Sequence, residues 1–307
     1  MGSHLYVMSD THDDLEATSR AVDFAESEGF ENSAIIHVGD FLLRPYERQS
    51  LESLVIDRDI GRFISEKRKT SQRKLKGYQD IFENSQIPYL VIPGNYDGDL
   101  GGVFGENDIH NKKSGFNGIR IVGYGGGGNL DEPWVGPPHI KLLVNLREIT
   151  LFDKDSLLKL LEDNNPQIAV IHNPPYGFCD DMFNGQHVGT PTTTRYMQEN
   201  NNLKLVLSGH IHEAGPNGNN PNGVRGISGI KREDGSKVIV VNPGNLGRFE
   251  LMNPRTLEPT IKFDYGTFAR VDIEEDGTPV MVTQYSVKEG KRAIGDVRQI
   301  GCYGLTD

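Results

Sequence analysis

Cysteine is scarce: Cys179 and Cys302 are the only two among 307 residues. Two such thiols make no disulfide framework, and reduced thiols in a cytoplasmic protein are the simpler reading. Long apolar runs are missing as well. None approaches the roughly 18 residues of a membrane span, and no basic, apolar, small-residue leader is present. Positive charge is in deficit, with 32 Lys and Arg against 43 Asp and Glu and a formal net charge of -11. That balance excludes a general nucleic-acid or anionic-membrane surface. It leaves anionic substrates open, because bound metal ions reverse the local sign. No linker, repeat or low-complexity tail divides the chain, so residues 5–307 read as one domain. Residues 1–4 are set aside as a cloning scar, and His4 with them.

Loop-forming residues are plentiful, with 36 Gly and 16 Pro. Between the loops lie short apolar runs of strand length. Leu5–Met8 is the first. Asp13 or Asp14 then caps a helix to about Ser27, which Gly29 ends. Ala34–Val38 follows, and strand, helix, strand with short connections is a βαβ unit. It implies a parallel sheet with its sites at the carboxyl ends of the strands. Pro88–Ile92, Ile119–Val122, Ile168–Ile171, Leu203–Leu207 and Lys237–Val241 repeat the strand pattern. Helical spacing runs over 46–84 with a break expected at Gly61, through Leu157–Leu161 after Asp153 or Asp155, and over Thr192–Gln198. Thr267–Ile273 and Val280–Tyr285 read as antiparallel strands that continue a second sheet. The basic run Lys67, Arg68, Lys69, Arg73, Lys74 and Lys76 reads as a solvated helix face.

Gly123–Gly128 spells G-x-G-x-x-G. A dinucleotide loop needs a helix directly behind it, and Asp131–Pro138, with Pro133, Pro137 and Pro138, cannot open one cleanly. A flexible active-site rim is the better reading, and an oxidoreductase with a nucleotide cofactor the weaker one. The long loops 98–118, 174–192 and 213–230 are expected to shape the pocket.

The strand exits carry the chemistry. Asp10 and His12 follow the first strand, one residue apart, so an extended exit would aim both side chains one way. Asp40 follows the second strand, Asn95 the third. His172, then His210 and His212, follow two later ones. Each alone has an ordinary explanation as a cap, a turn residue or a hydrogen-bonded histidine. Seven Asp, Asn and His side chains at five strand ends do not. Oxygen and imidazole donors without thiolate suit Mn, Fe, Zn, Co or Ni, with Mn favoured, over a structural zinc site. Seven donors exceed one ion's need, and two ions sharing Asp40 fit the count. His37 faces the other side of its strand and reads as structural.

Asp10-x-His12, Gly39-Asp40, Gly94-Asn95, His172 and Gly209-His210-Ile211-His212 stand in the order of the five sequence blocks of the calcineurin-like metallophosphoesterases, which the chain resembles over residues 10–212. Asn242-Pro243-Gly244 resembles the strand exit that commonly follows the last block. The resemblance implies a four-layer α/β/β/α sandwich, two packed mixed sheets flanked by helices. It implies one ion on Asp10, His12, Asp40 and His212 and another on Asp40, Asn95, His172 and His210. Such ions, about 3.5–4 Å apart, lower the pKa of a bridging water, and the hydroxide attacks phosphorus in line. The expected function is hydrolysis of small phosphorylated or nucleotide-like substrates, diesters ahead of monoesters. The alternative is a scaffold of the same fold that has lost catalysis.

One departure stands out. Relatives commonly place His after the Asn, where it stabilises the transition state or protonates the leaving group. Here Tyr96 stands there, followed by Asp97. Tyrosine titrates near 10 and is a poor acid at neutral pH. Asp97 is expected to orient a ligand imidazole. Asn173, Tyr176, His187, Arg44 and Arg195 are the candidates to compensate, and His187 the first choice for substrate contact. Asn95, Tyr96, Asp97 and His187 therefore form the candidate catalytic set.

Overall fold

A computed structural model describes residues 2–29, 31–129, 138–182, 185–212, 226–252, 259–288 and 297–305. Most of the proline-rich stretch after the glycine run, and residues 213–225 of a long loop, fall outside them. Strand β1 (Ser3–Met8) begins earlier than expected. His4 pairs with Ser33 and Asp272, so part of the segment set aside as a scar is in the sheet. Helix α1 (Leu15–Glu28) starts at Asp14, whose carboxylate accepts Ala17 N–H at 3.0 Å, and Gly29 ends it at φ 108°. That φ is cheap for glycine alone. After β2 (Ser33–His37) come α2 (Arg48–Val55) and α3 (Ile60–Asn84). The break falls at 56–59 rather than Gly61, because Asp59 caps α3 by accepting Arg62 N–H at 2.9 Å. Gly61 then lies in the first turn, where it interrupts nothing.

The chain continues through β3 (Tyr89–Val91), α4 (Gly101–Phe104), β4 (Lys112–Phe116), β5 (Ile119–Tyr124), β6 (Gly127–Asn129), α5 (Pro138–Asn145) and β7 (Leu151–Phe152). Next are α6 (Lys154–Asn164), β8 (Ile168–Ile171), α7 (Pro191–Glu199), β9 (Leu205–Leu207), β10 (Ile227–Lys231) and β11 (Lys237–Val241). The last strands are β12 (Phe249–Met252), β13 (Pro259–Phe263), β14 (Tyr265–Ile273), β15 (Pro279–Lys288) and β16 (Val297–Gly304). The first large sheet has the order β16-β15-β14-β1-β2-β3, the second β10-β11-β9-β8-β5-β4. β1, β2 and β3 are parallel, as are β5, β8, β9 and β11, with antiparallel strands at the flanks. The strands over 267–273 and 280–285 were expected in a second sheet. Instead Val7 pairs with Ala269, and the hairpin extends the first sheet from the open edge of β1.

Period-two alternation separates the layers. Tyr6, Met8 and Ile35 pack with Ala17 and Ala21 of α1 and Leu75 and Tyr78 of α3. Their neighbours Leu5, Val7, Ala34 and Ile36 face Ile168, Val170, Leu205 and Leu207 of the second sheet. On that sheet's far side, Ala169, Ile171 and Val206 meet Leu157 and Leu161 of α6 and Met197 of α7. The result is a four-layer α/β/β/α sandwich. Each fully buried aliphatic side chain contributes about 1.5–3 kcal/mol. This inter-sheet core holds the carboxyl ends of β1, β2, β3, β8 and β9 side by side.

Candidate metal centre

The ligand candidates sit just beyond those strand ends, His172 directly after β8 and the others within a few residues of theirs. The extended exit expected for Asp10 and His12 does not form. Asp10, His12, Asp40 and His210 all lie in the left-handed region, at φ 52°, 46°, 58° and 68°. Non-glycine residues populate that region at a cost of about 1 kcal/mol or more each. Backbone bonds across the site hold them there: Asp10 N–H to Gly39 O at 2.9 Å and His12 N–H to Asp40 O at 3.1 Å.

Two groups of donor atoms result, one of Asp10, His12 and His212 and one of Asp40, His172 and His210. Within each, the atoms lie within 4.8 Å of one another. His212 Nε2 is 3.1 Å from Asp10 Oδ1 and 3.0 Å from His12 Nε2, and His12 Nε2 is 3.8 Å from Asp10 Oδ1. His172 Nε2 is 3.5 Å from Asp40 Oδ2, while its Nδ1 donates to Val38 O at 2.6 Å, which fixes the tautomer. Each group draws on both sheets. Asn95 N–H donates to Asp40 Oδ1 at 2.5 Å and seats its residue beside the second group.

Packing here is close enough to require glycine. A Cβ on Gly94 would lie 2.0 Å from Asp40 Oδ1, and one on Gly127 would lie 1.4 Å from Asn95 Oδ1. The glycine run that mimics a dinucleotide loop thus makes room for Asn95.

The site fits cations on a test internal to the fold. His12 Nδ1, Asn95 Oδ1, His172 Nε2 and His210 Nδ1 are buried with no hydrogen-bond partner. Orphaned buried polar atoms are costly, and Asn95 Oδ1, His172 Nε2 and His210 Nδ1, from residues gathered around Asp40, call for a shared ligand. Burial works against ionised Asp10, but the hydrogen bond and charge of His212 hold it well below the usual carboxylate range. Burial likewise opposes Asp40, and His172 outweighs it. Burial, then the charge of His212, lowers His12; burial, then His172, lowers His210 to about 4. Both stay neutral, as ligation requires. His172 differs: burial pulls it down, but Asp40 wins and raises it to about 9. A proton on His172 is one way to balance the buried carboxylates. A divalent cation is another, and its binding takes that proton away.

Other expectations need correction. Asp97 orients no imidazole. Its carboxylate accepts the backbone N–H groups of Gly94 at 2.7 Å, Leu42 at 2.9 Å and Phe41 at 3.2 Å. It clamps the Asp40 loop to the Asn95 loop. Tyr96 is a poorer acid than a free tyrosine, since burial and the Asp40 charge push its phenol above 10. The basic face of α3 is only partly solvated: Lys67 is buried against Glu148, with Nζ 3.3 Å from Oε2, and Lys74 pairs with Asp13 at 2.8 Å. Arg44 and Arg195 are exposed. His37 is structural as expected, its ring stacked on Phe41 at 3.7 Å between centroids and burial lowering it to about 3. His187 and Tyr176 line a cavity of about 700 Å³ that reaches His210 and Asn173.

Sequence reasoning missed several contributors. Phe249 packs edge-on against His12 and His212 at centroid distances of 4.3 and 4.9 Å. Ser9 Oγ donates to Asp10 Oδ2 at 2.5 Å. Asn242 Nδ2 donates to Gly209 O and Ile211 O at 3.0 and 3.1 Å and ties down the His210–His212 loop. Asp180, wholly buried, accepts from His187 Nδ1 at 2.8 Å. Asn242 differs from the others: its strand exit stood out in the sequence, and only its role in holding the His210–His212 loop did not.

No curated protein matches the chain in sequence. Among solved structures, one crystal structure aligns over 89% of this chain and 95% of its own, with a TM-score of 0.57 and 16% identity. TT1561 of Thermus thermophilus aligns over 85% of this chain and 98% of its own, with a TM-score of 0.51 and 18% identity. These similarities concern the fold. The sequence profile of the calcineurin-like phosphoesterases matches residues 3–214 of the 307, which spans every ligand candidate. The chain belongs to that family of metal-dependent phosphoester hydrolases.

Proposed function

We propose that the protein hydrolyses phosphodiesters with two divalent cations, manganese favoured, held by Asp10, His12, Asp40, Asn95, His172, His210 and His212. The observation that carries this reading is the pair of donor groups, each joining side chains of both sheets, with buried donor atoms that nothing else satisfies. Asp10, His12 and His212 would hold one cation and His172, His210 and Asn95 the other, with Asp40 available to both. When bound, such a pair supplies a nucleophilic hydroxide near neutral pH and neutralises phosphate charge.

The residues supply the rest. Left-handed backbone at Asp10, His12, Asp40 and His210 fixes the donor directions before any ligand arrives. Asp97 keeps the Asp40 and Asn95 loops in register. The cavity of about 700 Å³ beside His210 falls in the range of small-molecule sites and has room for both substituents of a diester. Two free thiols, Cys179 and Cys302, suit a reducing compartment.

The test is hydrolysis of bis(4-nitrophenyl) phosphate by protein stripped of metal and reloaded with Mn, Fe, Zn, Co or Ni in turn. Elemental analysis should find about two ions per chain, with turnover in at least one form. Asp40→Asn should lower kcat at least 10³-fold while the fold melts as a unit. Fully loaded protein inactive with every metal would sink the proposal.

A further inference from the structure

One ionisable pair near the site serves neither donor group. The loop between His172 and α7 is folded back on itself: Thr190 N–H donates to Pro174 O at 2.8 Å, Tyr176 N–H to Thr190 O at 3.2 Å, and Asn173 Nδ2 to Thr190 Oγ1 at 2.5 Å. Inside it Asp180 has no exposed surface. Its Oδ2 accepts Gly189 N–H at 2.9 Å and its Oδ1 faces His187 Nδ1 at 2.8 Å. Asp181 Oδ1 lies 3.2 Å from the same nitrogen, and the Tyr176 ring is 5.4 Å away. A buried, backbone-anchored carboxylate on one ring nitrogen fixes tautomer and direction, as in other His–carboxylate pairs. Nδ1 is thereby committed, and Nε2 is the nitrogen left to serve a ligand. The imidazole side chain remains 38% exposed and lines the cavity that His210 and Asn173 also line. The family's usual proton-donor position, meanwhile, holds Tyr96.

We propose that His187, oriented by Asp180, is the proton donor to the leaving group, and that the cavity it shares with His210 receives the leaving alcohol or phenol of the phosphodiester. The idea rests on the hydrolase reading above and deepens it. In the step, the bond between phosphorus and the leaving oxygen breaks and its electron pair goes to that oxygen. The proton on His187 Nε2 transfers to the same oxygen, giving a neutral alcohol or phenol. The water that supplies the new phosphorus–oxygen bond loses its proton to solvent, and the imidazole regains one from solvent. One water is consumed per turnover. The hydrogen bond that His187 donates to Asp180, with the charges of Asp180 and Asp181, raises His187 above the ordinary imidazole value. More of it is therefore protonated at neutral pH. The other ionisable residues that line the cavity are Tyr176, Lys154 of α6 and His210.

The test compares wild type with His187→Asn on methyl aryl phosphodiesters running from the 4-nitrophenyl to the 4-methoxyphenyl ester. An acid matters most for the poorer leaving group. The variant should lose about 10²-fold in kcat on the 4-methoxyphenyl ester and at least about ten times less on the 4-nitrophenyl ester, so its rate depends more steeply on the phenol. A second readout needs no turnover. Imidazole ¹⁵N shifts in metal-free protein should show His187 protonated at Nδ1 in its neutral form and titrating above free imidazole, with the midpoint lowered in Asp180→Asn. Wild type that hydrolyses none of the series would remove the hydrolase reading itself. Active wild type with an equal loss, or none, across the series in His187→Asn would overturn the donor role alone. So would an extra metal ion that wild type retains and His187→Asn does not, since Asp180, Asp181 and His187 would then be its ligands.

Discussion

Asp97 shows how one side chain can govern a centre without belonging to its donor set. Burial and the Asp40 charge push it up to about 7, while three backbone N–H groups pull the other way. Those donors come from residues that flank Asp40 and Asn95. Asp97→Asn keeps the size but turns an N–H₂ toward at least one N–H. The cost should be about 1–3 kcal/mol in stability, the range for a buried donor left unpaired. Metal affinity should fall about 10–100-fold, the usual effect of disturbing groups that support ligands. Calorimetric titration with Mn²⁺ and a thermal melt measure the two; wild-type affinity in the variant would show that the clamp does not position the ligands. The identity of Asp97 was plain in the sequence as a neighbour of Asn95, but its partners were not. Gly94 is local, but Phe41 and Leu42 belong to a loop more than fifty residues away, brought close only by the parallel pairing of β2 and β3.

Elements show the same division between what a linear pattern encodes and what packing decides. Strand exits were legible because buried apolar runs end abruptly in Asp, Asn or His, and the order of the blocks added its own constraint. The left-handed turns at Asp10 and His12 were not, because they depend on bonds to the neighbouring strand exit. Nor was the placement of β14 and β15, since pairing with β1 spans most of the chain and leaves no local mark. Helix α3 is the clearest case. Its basic run looked solvated, yet Lys67 is buried with Glu148, and Arg68 pairs with the same carboxylate. That cross-link fastens α3 to the segment after α5. Burial works against ionised Glu148, but Arg68 and Lys67 hold it below the ordinary value of 4.5. A folded value below the unfolded one means that the unfolded chain binds more protons. The stabilisation is therefore present above about 4.5 and is lost as pH falls through the folded value. Denaturant titrations between pH 3 and pH 6 should show wild-type stability dropping on acidification more steeply than that of Glu148→Gln. Parallel curves would place the acid sensitivity elsewhere.

At the centre of the molecule two sheets are joined by an apolar core and finished, at the carboxyl ends, by polar groups that satisfy each other only in part. Leu5, Val7, Ile36, Ile168, Val170, Leu205 and Leu207 close the interior by burial alone. At the rim, Asp10, His12, Asp40 and Asn95 from the first sheet face His172, His210 and His212 from the second. Asn95 Oδ1 and His210 Nδ1 there lack partners, and the pull of Asp40 favours a proton on His172. Cations replacing that proton would satisfy donors on both sheets at once, so on the proposed reading metal binding would also stabilise the seam between the sheets. Binding to the folded state alone adds RT ln(1 + [L]/Kd), about 2.7 kcal/mol at a hundredfold excess over Kd. For a chain of 307 residues that corresponds to a rise in melting temperature of roughly 4 °C. Scanning calorimetry of chelator-stripped protein against increasing Mn²⁺ should show that rise, with reversal on adding excess chelator. Leu205→Ala, deep in the apolar interface, should lower the starting stability by about 2–5 kcal/mol yet keep the metal-induced rise. His210→Ala removes a donor and should lose most of the rise instead. If His210→Ala gains as much from metal as wild type does, the cation binds somewhere other than the seam between the sheets.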